Sequence, residues 1–205
     1  MSKEPIKVSL TEFMNFVNKS GSLKVTVVQK AKNKREEEYA HFKDYWLKLR
    51  DKIKSVHKNN GTHSDLKALL EEISEDKAQN YSAAVEGYCS FWKKRKIEWV
   101  EPPRKTWTVG DIKIEVNPEL GLVIKDKIFV IKLFTTANDS MDKRHADLIL
   151  TLMEKELRNK VSEEVVFAVL DVKRGKLFEN KYLDPNLSGL LNGEARSFET
   201  IWKSI

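Results

Sequence analysis

The 205-residue chain has a single cysteine, Cys89, so it holds no internal disulfide and no cysteine zinc cluster. No apolar run approaches the roughly 20 residues that span a bilayer. The opening MSKEPIKVSL lacks the apolar stretch of a secretory signal peptide. A lysine-rich chain without disulfides is expected in the cytoplasm, with no membrane partner. The signatures of several common chemistries are missing too. There is no GxxxxGK[ST], GxGxxG or GxSxG, so P-loop, Rossmann and hydrolase-elbow readings have no footing. The four histidines, His41, His57, His63 and His145, form no HExxH or similar helical pair, and a histidine metal centre is not expected. Cys89, between Tyr88 and Phe91, reads as a buried structural thiol because nothing nearby in sequence supplies a base.

What is present is an apolar content of 40% and a charged content of 33%. The first supports a globular core and the second a densely charged surface. The length suits one generous domain or two small ones. The net charge of +6 is unevenly placed. Residues 1–105 hold 22 Lys/Arg against 15 Asp/Glu, and residues 106–205 hold 15 against 16. The basic excess therefore lies wholly in the first half, as in a polyanion-binding region or a solvated lysine-rich surface.

Along the chain, Ser9-Leu10-Thr11-Glu12 has the form of a capping box and predicts a short helix ending near Ser20-Gly21. Leu23, Val25 and Val27 then alternate with neighbours, predicting a strand over 23–28. Residues 36–58 carry an apolar stripe through Phe42, Trp46, Leu49, Ile53 and Val56, predicting a long amphipathic helix closed by Asn59-Asn60-Gly61. Thr62 and Asp65 cap a further short helix, and another spans about 76–96 with Lys93-Lys94-Arg95-Lys96 in its last turn. Pro102-Pro103 is the strongest break. It divides a basic, mainly helical region (1–103) from a sheet region (104–205), the two forming separate units or one composite domain. Beyond it the period becomes two, with strands over 112–116, 120–124 and 128–134, the last pair joined by a turn at Asp126-Lys127. The 128–134 segment is apolar on both faces and should be central. A helix capped at Asp139-Ser140, a strand over 165–171, a turn at Arg174-Gly175, a strand over 176–178 and a helix from Leu187 complete the chain. That last helix should bury Leu190, Leu191, Phe198, Ile201, Trp202 and Ile205. The expected class is α+β, a helical N-terminal half with a C-terminal mixed β-sheet flanked by helices.

One pattern stands out. Asn117-Pro118-Glu119-Leu120-Gly121-Leu122 opens a hairpin, and Ile128-Phe129-Val130-Ile131-Lys132 closes it. This resembles the core of the restriction-endonuclease-like, PD-(D/E)xK superfamily, whose order is a helix, three antiparallel strands, a helix and a further strand. The resemblance covers about residues 108–180. It implies that Glu119 of the first motif helps chelate a divalent metal, Mg²⁺ if the protein is catalytic. The metal would activate water and stabilise the phosphorane, with Lys132 orienting the nucleophile or neutralising charge. The second acidic position is Val130, which cannot ligate a metal. Either another carboxylate, Glu115 or Glu154, substitutes, or the core is a scaffold that only binds. The chain is also similar to bacterial proteins with an NPELGL…IKL stretch, a likeness that brings no established activity.

A second constellation is basic and aromatic. Lys43, Lys48, Arg50, Lys52, Lys54 and Lys58 share a helix with Phe42, Tyr45 and Trp46, while Lys93, Lys94, Arg95 and Lys96 adjoin Trp92 and Trp99. Cations bind phosphates and aromatics stack on exposed bases. Aromatics at helical spacing equally build a core. The expectation is association with DNA or RNA through the basic half. The alternatives are a metal-dependent nuclease with a relocated acid, or an interaction module that meets a protein partner through an apolar patch containing Trp99, Trp107 or Phe134.

Overall fold

In the computed structural model, which describes residues 4–36, 44–93, 95–136, 141–179 and 184–205, the predicted capping box is complete. The Ser9 hydroxyl accepts the Glu12 N–H at 3.2 Å, and the Glu12 carboxylate accepts the Ser9 N–H at 2.9 Å. Helix α1 (Leu10–Val17) starts there. Just before it, Ile6–Ser9 forms strand β1, too short for its alternation to stand out in the sequence. Residues 23–28 are not a strand but part of helix α2 (Ser22–Glu36). Leu23 and Val25 are exposed, whereas Val28 and Ala31, one helical turn apart, are buried. Packing on a helical face has overridden a local alternation.

The helix predicted over 36–58 is shorter. Its residues 37–43 lie outside the described residues, and Asp44–Trp46 forms a turn in which Asp44 Oδ1 accepts the Trp46 N–H at 3.1 Å. Helix α3 then runs Leu47–Lys58 and ends, as predicted, where Asn60 takes a φ of 51°. The Thr62–Asp65 capping box starts α4 (His63–Lys67), which tightens into a 3₁₀ turn over Ala68–Glu72. Helix α5 (Glu75–Trp92) stops short of its predicted end because Lys93 adopts a φ of 48° and strand β2 (Ile97–Val100) follows. Lys93, Arg95 and Lys96 thus sit between helix and strand, and Lys94 lies outside the described residues.

The second half contributes β3 (Lys105–Val109), β4 (Ile112–Val116), β5 (Leu120–Ile124), β6 (Lys127–Phe134), α6 (Lys143–Leu157), β7 (Val166–Asp171), β8 (Lys176–Glu179) and α7 (Asn186–Ser204). The cap predicted for α6 at 139–140 lies outside the described residues; Asp142 accepts the His145 N–H at 2.9 Å and begins the helix. In α7, Leu191, Ala195 and Phe198 are buried, but Leu190 and, just past the helix, Ile205 are exposed, so the buried stripe is narrower than predicted.

The strands form two sheets. A three-stranded sheet has the order β1-β4-β3, and a five-stranded sheet the order β2-β5-β6-β7-β8. The doubly apolar β6 is central, as its composition predicts. It pairs antiparallel with β5 and, after the α6 crossover, parallel with β7. Alternation along the larger sheet separates two cores. Leu120, Ile131 and Leu170 pack against α3 and α5. Val130 and Val169 face the other cluster, built with α6, α1, α7 and the smaller sheet. The larger sheet is therefore the middle layer. The chain is α+β, with a helical first half that also supplies β1 to one sheet and β2 to the other, and a sheet-rich second half.

Candidate functional site

The site begins with a turn. Lys125 and Asp126 have φ values of 50° and 62°, the doubly left-handed geometry that a two-residue hairpin prefers. The turn lies one residue before the predicted Asp126-Lys127, and the shift decides the chemistry. It pairs Ile124 with Lys127 and Leu120 with Ile131, so the next step sets Glu119 across from Lys132. A turn one residue later would have set Gly121 opposite Lys132 instead.

Glu119 ends up firmly held. Its Oε1 accepts from Lys132 Nζ at 2.5 Å, and its Oε2 accepts the Leu133 N–H at 2.8 Å. That second bond occupies a donor left open where β5 has not yet begun. From α3, Arg50 brings Nε to 3.9 Å of Glu119 Oε1. The Arg50 guanidinium is itself held by Asp44, with Nη1 donating to Oδ1 at 3.3 Å and Nη2 donating to Oδ2. Burial would raise the Asp44 carboxyl, but Arg50 and the Trp46 N–H outweigh it and hold it below its ordinary value. The result is a row of alternating charges, Asp44, Arg50, Glu119 and Lys132, in which Lys132 is only 6% exposed.

This row floors a cleft of about 750 Å³. Lys34 from α2, Lys54 and Lys58 from α3, Arg104, and the ring of Trp99 stand around it. Lys58 Nζ lies 5.2 Å from the Trp99 ring centre and 3.1 Å from Glu101. That hydrogen bond leads the effects keeping the Glu101 carboxyl below its ordinary value. A second cavity of about 540 Å³ adjoins the first through Lys132 and Thr135 and is lined by Lys19, Asp142 and His145.

The residues read from the sequence are distributed unequally. Glu119 and Lys132 are brought together. Glu115 is exposed on β4 of the other sheet, its carboxylate accepting from Thr106 Oγ1 at 2.7 Å. Glu154, on α6, is engaged by Arg158 at 2.7 and 2.8 Å. Lys93, Arg95 and Lys96 are exposed beyond α5, with Arg95 over the Phe91 ring and Lys96 paired to Glu98 at 3.0 Å. None of them lines the cleft. The residues that sequence reasoning misses as site members are Arg50 and Asp44. Arg50 reads from the sequence as one of several phosphate-binding cations and Asp44 is not singled out, because nothing local ties either to Glu119.

A divalent ion does not fit this arrangement. Hard cations take several oxygen ligands, and Val130, where the resemblance expects a second carboxylate, is 2% exposed in the core. Both oxygens of Glu119 are already committed. Among the described residues, no group of three or more His, Cys, Asp and Glu side chains is arranged to hold a metal.

No family model, curated protein or solved structure matches the chain. What the cleft does must follow from its own chemistry.

Proposed function

We propose that the chain is a nucleic-acid-binding protein on a restriction-endonuclease-like core that lacks the ligands for metal-dependent cleavage. The order α5, β2, β5, β6, α6, β7, with the β3–β4 hairpin set between β2 and β5, supports the core assignment. So does the position of Pro118-Glu119 ahead of β5, facing Lys132 late in β6. The observation that carries the binding function is the cleft's flank. Lys34 from α2, Lys54 and Lys58 from α3, and Arg104 line it, each paired with an acid of the same lining, Glu12, Asp51 or Glu101. Cations spaced around a cleft provide phosphate contacts once they exchange their carboxylate partners for phosphate, and Trp99 offers a ring face. The rival interaction patch loses a member, since Trp107 is buried.

The test is fluorescence anisotropy with labelled duplex DNA, single-stranded DNA and RNA over a range of salt, with Mg²⁺ or EDTA. Micromolar binding that weakens steeply with salt and is indifferent to EDTA is expected. The double substitution Lys54→Ala/Lys58→Ala should weaken it more than Lys93→Ala/Lys96→Ala. No binding at low salt overturns the proposal.

A further inference from the structure

We infer that Arg50 and Lys132 are the built-in counter-ions of Glu119 and that the cleft floor takes a phosphate group on these fixed cations, without a divalent metal. This rests on the binding function proposed above and specifies how that site holds its anion. A carboxylate at the floor of a phosphate-binding cleft is repulsive unless something positive stands beside it. In a nuclease-like site that something is a metal ion. Here Lys132 Nζ donates to Glu119 at 2.5 Å and Arg50 Nε lies 3.9 Å away, so the positive charge is covalently part of the protein.

The two cations are suited to the task in different ways. A guanidinium keeps its charge at every accessible pH and presents a planar fork of five N–H donors. Arg50 is steered by Asp44 through both terminal nitrogens, and its side chain is 17% exposed. It is therefore oriented in advance and still reachable from the cleft. Lys132 offers three donors, of which Glu119 takes one, and it lines both cavities. The packing excludes the alternative occupant. A metal would need to displace Lys132 and the Leu133 N–H from Glu119, and would find Val130 where its second carboxylate should be.

The row Asp44, Arg50, Glu119, Lys132 is neutral as a whole. This yields an expectation opposite in sign to that of a metal site. Removing the charge of Glu119 leaves the row with one positive charge in excess and should strengthen phosphate binding, whereas in a metal-dependent site it would abolish the metal and weaken binding. Glu119→Gln keeps an acceptor for Lys132 and is the variant of choice; Arg50→Ala is its counterpart. Each is measured by anisotropy with a fluorescein-labelled oligonucleotide duplex, and by thermal melting of the protein alone with and without MgCl₂ or MnCl₂. Glu119→Gln is expected to bind about threefold or more tightly than wild type, with a salt slope steeper by up to about 0.9. Arg50→Ala is expected to bind more weakly, and neither metal should shift the wild-type melting temperature. A saturable metal-induced rise in the wild type that Glu119→Gln removes would overturn the inference, as would weaker binding by Glu119→Gln. If wild type binds no oligonucleotide, the function proposed above fails with the phosphate half of this inference, while the melting arm still decides whether Glu119 holds a metal. If Glu119→Gln does not fold, Arg50→Ala decides by losing affinity or retaining it.

Discussion

His57 is 4% exposed, and its Nε2 lies 2.6 Å from the hydroxyl of the buried Tyr88, with His63 stacked on Trp92 nearby. Burial, reinforced by His63, lowers its pKa from 6.5 to about 4. Between those values the unfolded chain binds a proton that the folded chain refuses, so stability falls as pH drops from about 6.5 to about 4 and this contribution levels off below. The loss is expected to be about 3 kcal/mol over that window. Urea melts at pH 7, 5.5 and 4.5 should show it, and His57→Gln, which keeps an acceptor for Tyr88, should flatten the slope. The carboxylates held low, Glu12, Asp44, Glu101 and Glu199, lose their contributions at lower pH, as it passes through their folded values. At this scale the sequence was informative where a motif tied residues together. Glu119 and Lys132 were legible as the two ends of a motif resemblance, although the turn read at Asp126-Lys127 would have set Gly121 opposite Lys132. Arg50 was not, because Glu119 lies far along the chain, just ahead of β5, and an arginine on a charged helix carries no mark of its destination.

Elements declared themselves when their local signals agreed and failed to when packing decided. The capping boxes at Ser9 and Thr62 formed as read, since each needs only neighbouring residues. In α2 the alternation predicts a strand, yet Leu23 and Val25 are exposed and the fold buries Val28 and Ala31, one helical turn apart. Strand β2 was hidden between a run of cations and two prolines, yet it fixes a tight approach. A Cβ on Gly121 would lie 2.2 Å from the Val100 carbonyl oxygen, so only glycine allows β2 to pair with β5 at this register. Gly121→Ala is expected to destabilise the fold by about 1–3 kcal/mol, the scale of an overpacked site. Chemical denaturation followed by tryptophan fluorescence checks this, and a change below about 0.5 kcal/mol would mean that β2 yields freely.

At the level of the whole molecule, the halves separated by Pro102-Pro103 are intertwined. β1 pairs with β4 and β2 with β5, so each sheet takes a strand from across that break. A fragment of residues 104–205 would expose the edges of β4 and β5 and the apolar face that α3 and α5 cover. It is expected to show no cooperative thermal transition by circular dichroism, and to gain one when mixed with residues 1–103. A sharp transition in the isolated fragment would show that the sheet region folds alone. The composition shift at the prolines was visible in the sequence, but strand exchange across them was not, because pairing over such distances leaves no local pattern.

The parallel pairing of Ile6 with Ile112 also orders events during synthesis. β1 is made early and matched late. At about 5–20 residues per second, its partner strand follows about 5–20 s behind. Over that interval the Ser9–Glu12 box can already hold α1, while Ile6 and Val8 have no strand to join. The larger sheet is free to assemble its β5–β6 and β6–α6–β7 contacts from neighbouring segments as they emerge. The smaller sheet is then closed by its earliest-made strand, so Ile6–Ser9 must stay available until Ile112–Val116 has also been made.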